Sequence, residues 1–144
     1  MRGERRITTG GTGDTGGRVR VDGRDVITGA VIEAAVRVHR SLGPGLLESV
    51  YQAALAYELG RRHVPFKAQC AVPVLYDGVD LDMNFRMDML VAGHIVVELK
   101  SVQELHPVHM AQLLTYLRLS GHRKGLLINF NVVRLVQGIR RLSL

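Results

Sequence analysis

From Thr28 onward the apolar positions fall at helical spacing. Val31, Ala35, Val38 and Leu42 lie three or four residues apart on one face, and Thr28 reads as the N-cap. Gly43-Pro44-Gly45 ends this helix, because proline offers no backbone donor and glycine tolerates the turn. A second helix is predicted from Leu46 to Arg62, with Leu47, Ala54, Leu55 and Leu59 turned to a core and Glu48, Tyr51 and Gln52 on the neighbouring stripe. After His63 the period changes. Phe66–Tyr76 predicts one or two strands interrupted at Pro73, and Asp77-Gly78 is a turn signal. Leu81, Met83, Phe85, Met87 and Met89 then alternate strictly with Asp82, Asn84, Arg86 and Asp88, which predicts a strand with one apolar and one polar face. Ala92-Gly93 turns the chain into a buried strand, Ile95–Lys100, whose pleat sets Glu98 and Lys100 on one side. A helix follows over Val108–Ser120 with Gly121 as its stop, and two short strands, Gly125–Phe130 and Val132–Gln137, close the chain.

Composition narrows the class. The chain has 144 residues with 47% apolar content, enough for one domain with a proper core. A single cysteine, Cys70, excludes an internal disulfide and a four-cysteine zinc site. No run approaches a membrane span and the start lacks an apolar signal core, so a soluble cytoplasmic protein is expected. Residues 1–24 carry seven of the 16 glycines and read as a flexible basic tail, leaving 25–144 as the domain. The net charge of +6 is unevenly spread: residues 25–104 hold seven bases and ten acids, residues 105–144 six bases and no acid. An acidic middle beside a basic end suits a polyanion held next to a carboxylate cluster. Arg118, Arg123, Lys124, Arg134, Arg140 and Arg141 are expected to contact phosphate without reading bases.

The chemistry concentrates on Asp88 and Glu98-Leu99-Lys100. Two carboxylates on adjacent strands form a hard oxygen site of the kind Mg²⁺ or Mn²⁺ takes, with the Leu99 carbonyl as a neutral third ligand. Lys100 would sit beside the attacking water, orienting it or neutralising charge on phosphorus. His109 is expected to face the cleft as a phosphate or water contact. His106 with His109 falls far short of a zinc set, and His39, His63, His94 and His122 read as surface or loop residues. Met83, Met87 and Met89 read as core filling, and Asp77, Asp80 and Asp82 as solvated edge charges. There is no phosphate-binding GxxxxGK[ST] loop, no GxSxG elbow and no suggestive Cys–His pair, which excludes ATP-driven and serine or cysteine hydrolase readings.

Gly45-Leu-Leu-Glu48-Ser-Val-Tyr51 matches the motif that names the GxxExxY proteins. Asp88, Val97–Lys100, His109-Met-Ala-Gln112-Leu-Leu-Thr-Tyr116-Leu117 and Gly125-Leu-Leu-Ile-Asn129-Phe130 follow in that family's order. The family is similar to the PD-(D/E)XK nuclease superfamily. That resemblance implies an α/β restriction-endonuclease-like core, a central mixed β-sheet flanked by helices, and Mg²⁺-dependent hydrolysis of DNA phosphodiesters. It places Asp88, Glu98 and Lys100 in the two acidic positions and the lysine position. Glu48 matches a helix-borne acid of the metal shell, and Gln112 with Tyr116 resembles the Q-x-x-x-Y motif of the RecB-like branch. Met87 stands where the eponymous proline would be. Tyr51 reads as packing or as a hydrogen bond to a neighbouring acid. Gln112 and Tyr116 stack on one helix face, where they could hold an acid or a phosphate or merely border the core. Two rival readings remain: a binding module that keeps the fold without chemistry, and an assembly subunit whose C-terminal strands pair across a homodimer. The nuclease reading requires Asp88, Glu98, Glu48 and Lys100 to converge.

Overall fold

The computed structural model describes residues 23–144, and it runs α1 (Gly23–Leu42), α2 (Glu48–Arg61), β1 (Phe66–Tyr76), β2 (Val79–Val91), β3 (Ile95–Lys100), α3 (Pro107–Ser120), β4 (Lys124–Asn129), a 3₁₀ turn (Leu135–Gly138) and β5 (Ile139–Ser143). Residues 1–22 of the expected tail lie outside the described residues, and Gly23 and Arg24 already belong to α1. Thr28 is therefore not the cap; it is buried inside the helix.

The five strands form one sheet in sequence order. Neighbours are antiparallel except β3 and β4, which are parallel. A parallel pair needs a crossover, and α3 supplies it. Along β3 the side chains alternate. Ile95, Val97 and Leu99 join the core formed with α1 and α2, which includes Val31, Ala35, Leu55 and Leu59, whereas Val96 packs with Leu113 and Leu117 of α3. Helices on both faces explain why β3 reads as an almost unbroken apolar run. The α/β restriction-endonuclease-like architecture expected from the sequence is present.

Three local readings are corrected. Leu47 precedes α2 and is 74% exposed, because that helix starts at Glu48 and its buried side is Tyr51, Leu55, Glu58 and Leu59. His39 is buried, its Nε2 donating to the Val132 carbonyl at 2.8 Å. Val132–Gln137 is no strand: Leu135 turns into the core within the 3₁₀ turn, and the closing strand begins at Ile139. With that strand goes the pairing element of the homodimer reading. The edge strand at the C-terminal side, β5, exposes Arg140 and Arg141, charges that discourage a further strand from adding.

Glycine chemistry offers a stability test. A Cβ at Gly138 would overlap the Asn129 carbonyl oxygen, whereas one at Gly29, inside α1, would meet nothing within 4 Å. Gly138→Ala should therefore destabilise the fold by about 1–3 kcal/mol or more. Gly29→Ala should stabilise it by about 0.5–1 kcal/mol through helix propensity. Urea unfolding followed by circular dichroism measures both, and the two shifts in midpoint should have opposite signs.

Candidate functional site

The ladder between β2 and β3 runs Val91–Ile95, Leu90–Val96, Met89–Val97 and then stops. At the next step two carboxylates replace peptide groups. The Asp88 N–H donates to Glu98 Oε2 at 2.9 Å, and the Leu99 N–H donates to Asp88 Oδ2 at 2.8 Å. The β1–β2 ladder also skips Asp88, where its opposite number Gln69 takes a left-handed φ of 54°. There the ribbon changes sides. Phe66, Met89 and Val91 pack with the α1–α2 core, but Cys70, Val72, Phe85 and Met87 pack with α3. The strict alternation read as one apolar face thus serves two faces, with Asp88 at the crossover, and its far end at Leu81 and Met83 is exposed. Met87 and Met89 are buried; Met83 is not, which corrects its reading as core filling.

Burial governs the electrostatics. Glu98 is 6% exposed. Desolvation and the adjacent Asp88 charge push its carboxyl up to about 8, against the opposing pull of the Asp88 N–H and Lys100. Asp88 is also raised, first by desolvation and then by the negative charge of Glu48, while the Leu99 N–H and Lys100 pull it back. At neutral pH the pair therefore retains a proton that an isolated carboxylate would have lost. A divalent cation would take that proton's place. In an extended strand a residue's N–H and C=O leave on the same side, so the Leu99 carbonyl faces the same gap as the N–H that Asp88 accepts. Two carboxylates and a carbonyl, with water completing the shell, fit Mg²⁺ or Mn²⁺.

Glu48 reaches this gap by a different route. The Tyr51 hydroxyl donates to the Gly43 carbonyl at 2.5 Å and accepts the Leu46 N–H at 3.2 Å, and its ring stacks on Phe130 with centroids 4.5 Å apart. The tyrosine thus packs as expected, but its bonds go to the Gly43–Leu46 backbone and not to an acid. That clamp sets the start of α2, where Glu48 accepts the Ser101 N–H at 3.3 Å and the Ser101 hydroxyl donates to the Leu46 carbonyl at 2.5 Å. Glu48 is thereby held beside the residue after Lys100, and its charge acts on Asp88 and His109. Among the described residues no three His, Cys, Asp or Glu side chains gather as a metal-holding group. The convergence is a bonded pair, Asp88 with Glu98, with the charge of Lys100 acting on both and Glu48 held apart on the Ser101 N–H, its charge reaching Asp88.

The first half of α3 borders the same place. His109 Nδ1 accepts the His106 N–H at 3.0 Å, which leaves the hydrogen of the neutral ring on Nε2. Partial burial, then Lys100, hold His109 below its ordinary pKa. Tyr116, raised by burial and by the charges of Glu98 and Asp88, stays a phenol. It accepts the Gln112 amide at 2.9 Å and stacks on Phe85 at 4.2 Å, joining Q-x-x-x-Y to the ribbon. Arg118, Arg123 and Lys124 lie elsewhere. Arg118 is exposed in the last turn of α3, bonded to Thr115. Lys124 pairs with Ile95, and Arg123 precedes it, so both sit at the opposite end of β3, about 17 Å from Lys100 at about 3.3 Å per residue. Arg134, Arg140 and Arg141 are exposed towards the C-terminus, with Arg140 spent on the Gln137 and Ile139 carbonyls.

Two supporting residues carried no assigned role in the sequence. Buried Asn129 accepts the Val102 N–H at 3.0 Å and donates to the Val102 carbonyl at 2.9 Å, fixing the chain just beyond Lys100. Gln52 donates to the Asp88 carbonyl at 3.4 Å and accepts from Gln69 at 3.0 Å, bracing the crossover. A polar residue closing the apolar run Leu126-Leu127-Ile128 was the available signal for Asn129. Gln52 offered none.

A family model described as the PD-(D/E)XK nuclease superfamily matches residues 25–142. No curated protein and no solved structure matches the chain.

The carboxylate pair has a pH signature. Unfolding frees Glu98 to titrate near 4.5, whereas the fold holds its proton up to about 8. Between those values the native state binds more protons than the unfolded chain, so stability should fall as pH rises, by at most about 1.4 kcal/mol per unit for one proton. Urea titrations in EDTA from pH 5 to 8 should show that decline, and Glu98→Gln should flatten it.

Proposed function

The chain belongs to the PD-(D/E)XK nuclease superfamily, and on that premise we propose that it hydrolyses DNA phosphodiester bonds with Mg²⁺ or Mn²⁺ and little sequence preference. The observation that carries the reading is the buried Asp88–Glu98 pair, which holds an extra proton at a strand end with Lys100 on the same face. Such a pair is costly unless something cationic shares it. Within the superfamily, Gly45–Tyr51 aligns the chain with the GxxExxY group.

Asp88, Glu98 and the Leu99 carbonyl would hold the cation, with Glu48 added on release from Ser101. A cation bound there supplies Lewis acidity and a water that ionises near neutral pH. The Lys100 ammonium would orient the attacking water and offset charge building on the phosphoryl oxygens. His109 presents Nε2–H, and Tyr116 a hydroxyl already accepting from Gln112, as donors to non-bridging oxygens. Attack forms one P–O bond and breaks the bond to the leaving sugar oxygen, which takes up a proton. None of these groups reads a base edge, which supports low sequence preference. No helix of the described residues is long and apolar enough to cross a membrane, and we read the chain as acting in the cytoplasm.

Asp88→Asn and Lys100→Ala are the direct tests. Each should lower plasmid cleavage more than about a hundredfold, beyond the loss typical for an outer partner of a metal ligand. Circular dichroism should show the fold retained. Parent-level cutting by both variants would overturn the assignment. Duplex binding that ignores Mg²⁺, with no cleavage by the parent, would favour the non-catalytic module.

A further inference from the structure

The end of the sheet away from the carboxylates carries its own cavities. One is a cleft of about 130 Å³ lined by Gly93, His94, Gly121, His122, Arg123 and Lys124. It forms where the β2–β3 turn meets the α3–β4 turn. All four of its side-chain-bearing residues are basic, none is acidic, and residues 105–144 contain no acid at all. Gly93 and Gly121 hold left-handed conformations with φ of 71° and 79°, and an added Cβ at either would meet nothing within 4 Å, so the cleft stays open there. Arg123 is steadied by the Leu144 carbonyl at 3.0 Å while its own carbonyl accepts the Leu144 N–H. A guanidinium so placed keeps further N–H groups for a second acceptor.

Beside it, and sharing Gly93, lies a cavity of about 280 Å³ whose lining includes Phe66, Leu90 and Ala92 with Lys67 at its rim. One compartment is small and cationic; its neighbour is larger and apolar. An adjoining pair of that kind, meeting at Gly93, matches a ligand that is charged at one end and apolar at the other.

We propose that this end of the sheet binds a nucleoside phosphate, its phosphate in the His94–His122–Arg123–Lys124 cleft and its base in the adjoining cavity. The site lies about 17 Å from Lys100 by the rise of β3, too far for its ligand to share the carboxylate pair. A free nucleotide and the phosphorylated end of a strand present the same chemistry. His122 is held below its ordinary pKa by desolvation and then by His94. A phosphate dianion between the two rings would reverse that and draw a proton onto them.

The test uses the full chain in EDTA, so it does not depend on cleavage and stands or falls apart from the nuclease reading. The imidazole proton resonances of His94 and His122 are followed by NMR during titration with adenosine 5′-monophosphate, inorganic phosphate or adenosine at constant ionic strength. The nucleotide should shift both rings saturably and raise the His122 midpoint. Its affinity should exceed that of inorganic phosphate by about tenfold or more, and Arg123→Gln should weaken it by a similar factor. Equal binding of phosphate and nucleotide would remove the base from the proposal. Shifts that sodium chloride reproduces, or that survive in both Arg123→Gln and His122→Gln, would overturn the site. Displacement of the nucleotide by a 5′-phosphorylated but not an unphosphorylated oligonucleotide would identify the ligand as a strand end; no displacement would identify it as the free nucleotide.

Discussion

Where β2 and β3 part, hydrogen bonds between peptides give way to bonds between peptides and carboxylates. Asp88 accepts from Leu99 and Glu98 accepts from Asp88. Each acid satisfies an N–H that the broken ladder would otherwise orphan, at a cost of about 1–3 kcal/mol per buried donor. The same two acids are buried close enough to retain a proton, because burial and mutual repulsion oppose a double negative charge there. Sheet integrity and chemistry thus use one set of atoms. Neither side chain can lose its acceptor oxygen without orphaning a backbone N–H, and the ladder ends where the ribbon beyond Asp88 turns to α3.

Much of this was legible in the residues. The alternation of β2, the apolar run of β3 and the Gly121 stop mark their elements, and Asp88, Glu98 and Lys100 sit where that pattern placed them. The crossover at Asp88 was not legible. Apolar residues occupy every second position on both sides of it, so the pattern runs on unbroken while the backbone at Gln69 reverses the faces. The closing strand was misplaced for a related reason. Val132, Val133, Leu135 and Val136 look strand-like, but Gly138 must lie against the Asn129 carbonyl, which spends that segment on a tight turn. Val133 and Val136 are left exposed. Local pattern cannot report a contact made across the fold.

The residues that hold the site are mostly not those that would react. Tyr51 grips the turn before Glu48, Asn129 grips the chain after Lys100, and Gln52 grips the carbonyl of Asp88. Tyr51 and Asn129 hold chain just outside an element, and Gln52 holds β2 at Asp88, where the ladders on both sides are interrupted. A polar side chain bonded to main chain substitutes for regular structure there, which is how a site can be rigid at points where the secondary structure runs out.

The two ends of the sheet carry opposite chemistry because α3 is a crossover. It must run antiparallel to β3 and β4, so its N-terminus, the positive end of the helix dipole, lies by the carboxyl end of β3. His106 and His109 stand at that terminus, and the charges of Lys100 and Glu48 reach His109 there. Negative groups, whether carboxylates or phosphate oxygens, are favoured there without any further cation. The C-terminal end of the helix favours positive charge by the same effect, and Arg118, His122, Arg123 and Lys124 cluster around it. Part of the basic character of residues 105–144 is therefore a complement to the helix. That accounts for Arg118, Arg123 and Lys124, which stand at the ends of α3 and β3 away from the carboxylate pair.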